Sequence, residues 1–185
     1  FLFDLGLNVS FFQENEIQVE QGKIQEKFKS IEDIDDYIKQ WQMKNDFQLI
    51  LRNKNTSSKI ILLLSEKNSF INFDHSKIKP ELLEKMFLSI GQNINDFFII
   101  NIDIEKLIEN HINKINEILE LYFTILNPKI LIDMCSDDIN KLFNVDNLNF
   151  NFDYIKIPSV SNIMKKQSLK REAWIQLKLL KAKLD

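Results

Sequence analysis

Few side chains in this chain are suited to covalent or metal chemistry. The 185 residues include one cysteine, Cys135, and two histidines, His75 and His111. A single cysteine cannot form a disulfide or hold a metal cluster within the chain. His75 follows an aspartate and is expected at the surface, while His111 falls within a predicted long helix and is expected to be a partly buried helix residue. We therefore predict no metal site and no cofactor.

One group of side chains is suited to binding phosphate. Lys165, Lys166, Lys170 and Arg171 surround the predicted start of the terminal helix. Four basic side chains can contact the phosphates of a nucleic acid. The alternative is a solvated helix start, since a formal charge of −3 and a pI near 5.5 supply no overall attraction to nucleic acid.

The composition predicts a folded domain. Hydrophobic residues make up 44% of the chain and aromatic residues 11%, which is enough for a sizeable core. No apolar run reaches the roughly 18 residues of a membrane span, and no signal peptide is recognisable, so a cytoplasmic protein is expected. We expect an apolar segment and polar linker over residues 1–30 and a domain over residues 31–185.

Glycine is scarce. The chain has three glycines, whereas average usage predicts roughly 13. Backbone loops that approach phosphates or bases closely usually need glycine at strand-to-helix turns. The scarcity indicates either loss of such loops or a lineage with biased codon composition.

The elements that must position these side chains alternate along the chain. Apolar spacing predicts helices over about 31–43, from Pro80 to a stop at Gly91, from Ile104 to Leu126, from Ser136 to about Phe143, and over Leu169–Leu184 with Ala173, Trp174, Leu177 and Leu180 packed inward. Continuous apolar runs predict four strands at Lys59–Leu64, Phe97–Ile102, Lys129–Met134 and Phe152–Ile157, with a further short strand at Phe47–Leu51. The alternation predicts an α/β three-layer sandwich with a central, mainly parallel four-stranded sheet.

Several segments together resemble the family 4 uracil-DNA glycosylases. The closest is Leu169–Trp174, which reads Leu-Lys-Arg-Glu-Ala-Trp, as the family's terminal helix does after a His-Pro turn. The others are Leu82–Gly91, Phe98–Asn101, Leu126–Cys135 and Glu66 after the first buried strand. The resemblance runs from about Ile31 to the end of the chain and implies the same fold.

The resemblance implies hydrolysis of the N-glycosidic bond of uracil flipped out of DNA. Asn101 would read the base edge, because an amide both donates and accepts hydrogen bonds. Glu66 would help to position water, and Phe73 would stack on the base. Two alternatives stay open, namely that Asn101 caps the following helix and that Glu66 is an exposed turn carboxylate.

Two departures from the family weaken the implied activity. Ser159 stands where the catalytic histidine would be, and loss of one such donor commonly costs about 10²–10³ in rate. The four cysteines of the family's iron–sulfur cluster are also missing from the positions near Tyr37–Gln42, Glu105 and Ile115. In the family the turn that carries Lys165, Lys166, Lys170 and Arg171 meets the duplex.

Three functions follow as hypotheses. The first is a degenerate uracil-DNA glycosylase-like protein, related to base-excision repair, with weak or lost hydrolysis and a residual DNA- or protein-binding role. The second is an active DNA glycosylase in which Ser159, Asn101 and Glu66 support altered chemistry. The third is a structural interaction protein that binds a partner through the apolar segment Phe1–Phe12.

Overall fold

The computed structural model describes residues 28–44, 50–53, 55–66, 81–103, 106, 108–136 and 151–184. Several predictions lie outside the described residues. They concern the partner-binding segment Phe1–Phe12 and most of the polar linker after it, the base-stacking Phe73, the surface His75, and the helix expected beyond Ser136.

In the part of the chain that the structure describes, five strands form one sheet. They are β1 (Ile50–Arg52), β2 (Ile60–Leu64), β3 (Phe98–Ile102), β4 (Ile130–Met134) and β5 (Asp153–Lys156). Their order in the sheet is β1-β3-β2-β4-β5. The strands β2, β3, β4 and β5 run parallel, and β1 pairs antiparallel with β3 at the edge. The predicted mainly parallel sheet is confirmed, and its four predicted strands make up the parallel part.

The central strands are apolar along their whole length because both of their faces are covered. In β2, Ile61 and Leu63 contribute to one hydrophobic core, and Leu62 and Leu64 to the other. All four side chains are at most 1% exposed. A strand buried on both faces in this way requires layers on either side of the sheet.

Among the described residues, five α-helices supply the two outer layers. They are α1 (Ile31–Lys44), α2 (Glu81–Leu88), α3 (Ile112–Leu126), α4 (Val160–Lys165) and α5 (Ser168–Leu184), with 3₁₀ turns at Ile94–Asp96 and Glu109–His111. Helices α1 and α3 pack on one face, and α2, α4 and α5 pack on the other. The three-layer α/β sandwich is therefore the architecture of the chain.

The longest apolar stripe begins later than the sequence predicts. Helix α3 starts at Ile112 instead of Ile104, after the 3₁₀ turn Glu109–His111. Ile108 has extended backbone angles and is 55% exposed, so it is not part of the buried stripe. The helix ends as predicted before Pro128, where Asn127 adopts a left-handed conformation and its N–H donates to the Phe123 carbonyl.

The prediction that Trp174 packs into the core is wrong. Ala173, Leu177 and Leu180 are at most 3% exposed, but Trp174 is 44% exposed. Successive helix residues are about 100° apart, so Trp174 lies on a different side of α5 from Ala173. The terminal motif places its aromatic side chain toward solvent.

Helix α4 is absent from the sequence-based prediction. Its six residues bury Val160 and Ile163 and leave no room for a repeating apolar pattern. A stripe of two residues does not distinguish a short helix from a loop. This helix nevertheless carries much of the polar arrangement described next.

Candidate functional site

Polar groups collect at the carboxyl edge of the parallel strands, where α/β proteins commonly bind ligands. Glu66 follows β2, Asn101 lies near the end of β3, and Ser159 follows β5. All three side chains are buried, with Asn101 at 0%, Ser159 at 1% and Glu66 at 5% exposure. The alternative that Glu66 is an exposed turn carboxylate is therefore wrong.

The Asn101 amide is bonded to the main chain of Glu66. Its Oδ1 accepts from the Glu66 N–H at 2.9 Å, and its Nδ2 donates to the Glu66 carbonyl at 3.0 Å. Leu64 is paired with Asn101 in the β2–β3 register, so the side chain continues the ladder where β2 has ended. The amide thus satisfies two buried backbone groups that have left the sheet.

The Glu66 carboxylate reaches from the end of β2 to the first turn of α4. Its Oε1 accepts from the Ser161 N–H at 3.1 Å. Burial raises the pKa of Glu66, while hydrogen bonds from Ser161 and Val160 and the charge of Lys165 oppose that rise. A buried carboxyl with a raised pKa has the protonation behaviour required of a general acid or base.

Ser159 begins α4 as its N-cap residue. Its Oγ accepts from the Asn162 N–H at 3.3 Å and lies 3.4 Å from the Ser161 Oγ. Such a bond satisfies one of the backbone donors that a helix start leaves unpaired. Through Ser161, the structure brings Ser159 and Glu66 into one hydrogen-bonded arrangement.

Neither residue beside Pro158 carries an imidazole. In a His-Pro turn the histidine immediately precedes the proline, and here that residue is Ile157. Ile157 is 0% exposed and belongs to the apolar core between the sheet, α2, α4 and α5. Whichever position is compared with the family's histidine, Ile157 or Ser159, the side chain cannot supply its charge.

The predicted phosphate-binding residues lie next to this edge. Lys165 is the last residue of α4, Lys166 follows it, and Lys170 and Arg171 lie near the start of α5. All four side chains are exposed. Lys165 is near enough to lower the pKa of Glu66, which links the basic group to the strand-end carboxylate.

A second polar cluster escaped the sequence analysis. Asp133 in β4 is 1% exposed and accepts hydrogen bonds from Tyr154 at 2.7 Å and Lys156 at 3.0 Å. Lys156 also donates to the Cys135 carbonyl at 2.9 Å. The sequence carries a signal that could have revealed this cluster, namely an aspartate inside an otherwise apolar strand. A buried charge requires a partner, so this residue predicts a nearby cation or donor.

The thiol of Cys135 is buried, and His111 is half-buried. Burial, assisted by the nearby Asp133 charge, raises the pKa of the Cys135 thiol well above its usual range, which disfavours the nucleophilic thiolate. His111 is half-buried, as expected, and makes an edge-on contact with Trp41 at 5.7 Å between ring centroids. In the part of the chain that the structure describes, no three His, Cys, Asp or Glu side chains are grouped to hold a metal ion.

Comparison with protein-family models gives no match, and comparison with curated proteins gives none either. Among the helices that the structure describes, none has the length and apolarity needed to cross a bilayer. The chain is an α/β three-layer sandwich with a buried polar arrangement at the carboxyl edge of its sheet, and its kinship with the uracil-DNA glycosylases stays a prediction.

Proposed function

We propose that this chain is a degenerate uracil-DNA glycosylase-like protein, related to base-excision repair, with weak or lost N-glycosidic hydrolysis and a residual DNA-binding role. The observation that carries the proposal is the hydrogen bonding of Glu66, Asn101 and Ser159. Asn101 and Glu66 each bond to the main chain of another segment, and Ser159 bonds to the main chain of the helix that it caps.

The proposed loss of activity rests on what hydrolysis requires. A flipped uracil needs an amide at its edge, a positioned water and a donor for the charge that develops on O2. The Asn101 oxygen and nitrogen both contact Glu66, and the Glu66 carboxylate contacts Ser161. With no imidazole at residue 157 or 159, the imidazole donor is missing as well, and that loss alone costs about 10²–10³ in rate.

Uracil excision from a single-stranded oligonucleotide tests this proposal. Under single-turnover conditions we expect the unmodified chain to be slower than an active family 4 enzyme by at least about 10². Ser159→His and Ile157→His, each checked for folding by circular dichroism, test whether an imidazole restores activity at either position. Excision by the unmodified chain at the rate of the active enzyme would sink the proposal, whatever the variants do.

The residual DNA-binding role is tested separately with a duplex. If Lys165 and Lys166 contact phosphates, replacing both by alanine should reduce the magnitude of the slope of log K, the association constant, against log salt concentration. The expected reduction is about 1.8, that is about 0.9 per contact. Lys39→Ala with Lys44→Ala removes the same charge from exposed positions on α1 and should leave the slope unchanged. Equal slopes for the two double variants would remove the duplex contact from the proposal.

The Glu66 environment favours the active glycosylase as a second candidate. A raised pKa beside a helix start is what a residual acid–base catalyst would need. Excision that is measurable in the unmodified chain and lost in Glu66→Gln would support this candidate. A binding role for Phe1–Phe12 stays a prediction from the sequence.

A further inference from the structure

One side of α5 combines an exposed aromatic ring with cations. Five residues lie within an arc of about 100° when successive residues are placed 100° apart. We call this surface the basic face; it consists of Lys170, Arg171, Trp174, Lys178 and Lys181. It is distinct from the arc that holds the buried residues of the same helix.

Trp174 lies at the centre of the basic face. Its side chain is 44% exposed, although tryptophan is usually well buried. Lys170 and Lys178 are one turn before and after it, about 6 Å away along the helix axis. An indole flanked by cations on both sides offers a ring for stacking and charge for the backbone next to the stacked group.

The charge of this region contrasts with that of the chain. Residues 160–184 contain seven basic residues and one acidic residue, a net charge of +6, while the whole chain carries −3, which leaves −9 for the remainder. Among the described residues, none of the cations of the basic face forms an ion pair, whereas Lys183 on the other side of α5 pairs with Asp153 at 2.6 Å. Within the described part of the chain, no ion pair therefore neutralises the charge that the basic face presents to a polyanion.

We propose that the basic face binds single-stranded nucleic acid, with a base stacked on Trp174 and the adjoining phosphates near Lys170, Lys178 and Lys181. Such sites combine a cationic track with aromatic side chains on which bases stack. The inference rests on the DNA-binding part of the proposed function and deepens it. It adds Trp174, Lys178 and Lys181 to the basic residues named there.

The arrangement favours a nucleic acid over an anionic membrane. The exposed apolar residues Ile175 and Leu179 lie roughly 100–140° around the helix from Trp174. A helix that inserts into a bilayer surface groups its tryptophan with its apolar face and keeps its cations on the other. Here the tryptophan is grouped with the cations.

Fluorescence titration with an oligothymidylate of about ten nucleotides tests the proposal. Trp41→Phe leaves Trp174 as the sole tryptophan of the full chain, so quenching reports on its ring. Fluorescence anisotropy of the labelled oligonucleotide gives affinity without that substitution. We expect the fluorescence of Trp174 to be quenched on binding, and the affinity to be roughly 5- to 150-fold weaker for Trp174→Ala. For Lys178→Ala with Lys181→Ala, the slope of log K against log salt concentration should decrease in magnitude by about 1.4.

Matched controls come from the same helix. Ile175 has the same exposure as Trp174, and Lys183 carries the same charge as Lys181. Ile175→Ala and Lys183→Ala should each change affinity by less than about twofold if the basic face is the site.

Three results would overturn the inference: affinity unchanged in Trp174→Ala, equal affinity for an abasic strand of the same length, or binding to anionic vesicles with none to the oligonucleotide. Duplex binding and uracil excision are measured apart. Oligothymidylate binding through Trp174, together with uracil excision at the rate of an active family 4 enzyme, would uphold the inference and overturn the proposed function. Slow or absent excision with duplex binding through Lys165 and Lys166, but without a Trp174 effect, would do the reverse.

Discussion

The Asn101 side chain pairs with the main chain of Glu66, just after β2, as a residue of a neighbouring strand would. The amide accepts from one backbone group of Glu66 and donates to another, which are the two bonds that a strand partner would make. An asparagine near the end of a buried apolar strand could be singled out from the sequence. Its partner could not, because the contact depends on the β2–β3 register and on the path of the chain after Leu64.

Replacing Asn101 by alanine should destabilise the fold by about 2–4 kcal/mol, since a buried N–H and a buried carbonyl lose their partners. Urea denaturation measures this as a lower midpoint at constant m-value. Asn151→Ala, at an exposed position, serves as the control and should stay within about 0.5 kcal/mol. Equal stability of Asn101→Ala and the unmodified chain would mean that the amide is not needed to hold Glu66.

Glu66 makes the stability of the fold depend on pH, because burial raises its pKa in the folded state. Its folded pKa is raised above the ordinary value of 4.5, so the folded state binds a proton that the unfolded state does not. The free energy of unfolding should therefore increase as pH is lowered through the folded pKa toward 4.5, and this contribution is lost as pH rises.

Glu66→Gln removes the titration while keeping an oxygen that can accept from the Ser161 N–H. We expect the variant to be more stable than the unmodified chain near neutral pH and to show a flatter pH dependence just above 4.5. Chemical denaturation at a series of pH values measures both. An unchanged pH profile in the variant would show that Glu66 does not carry the effect.

At the scale of the elements, sequence patterns sufficed where an apolar stripe was long. Helices α1 and α5 and the strands β2 to β5 lie within two residues of their predicted bounds. The patterns failed for α4, with two buried apolar residues, and for the start of α3, where Ile108 is exposed. Periodicity shows that a side chain is apolar but not whether the fold covers it.

Helix α4 depends on its cap because it is too short to be stable by propensity alone. Ser159→Ala removes the bond to the Asn162 N–H and should cost about 1 kcal/mol in thermal or urea denaturation. Hydrogen exchange of the Asn162 amide should accelerate more than that of core amides. Ser168 is exposed at the start of α5, so Ser168→Ala is the control and should hardly change the free energy of unfolding. An equal loss of stability in both variants would contradict a capping role for Ser159.

For the whole molecule, alternation of strands and helices sufficed to predict the layers but not the neighbours within them. Nothing in the chain order indicates that β2 lies between β3 and β4 or that β1 runs antiparallel at the edge. The candidate site depends on that order, because Glu66 and Ser161 follow strands separated by β4 and meet only through α4. Residue types were therefore predictable, while their contacts required the fold.

The uneven distribution of charge should govern how the molecule behaves on a charged surface. The basic face spans residues 170–181, about 17 Å along α5, which exceeds the Debye length of roughly 10 Å at 0.1 M salt. A surface therefore interacts with this local positive charge more strongly than with the net charge of −3. At pH 7 and about 0.1 M salt we expect the chain to bind a cation exchanger despite its pI near 5.5.

Two double variants with equal net charge separate location from total charge. Lys178→Gln with Lys181→Gln removes two cations from the basic face, and Lys39→Gln with Lys44→Gln removes two from exposed positions on α1. We expect the first pair to elute from the exchanger at clearly lower salt and the second to elute near the unmodified chain, since screening limits each charge to its own neighbourhood. Coincident elution of the two variants, or passage of the unmodified chain without retention, would show that α5 does not dominate the surface field.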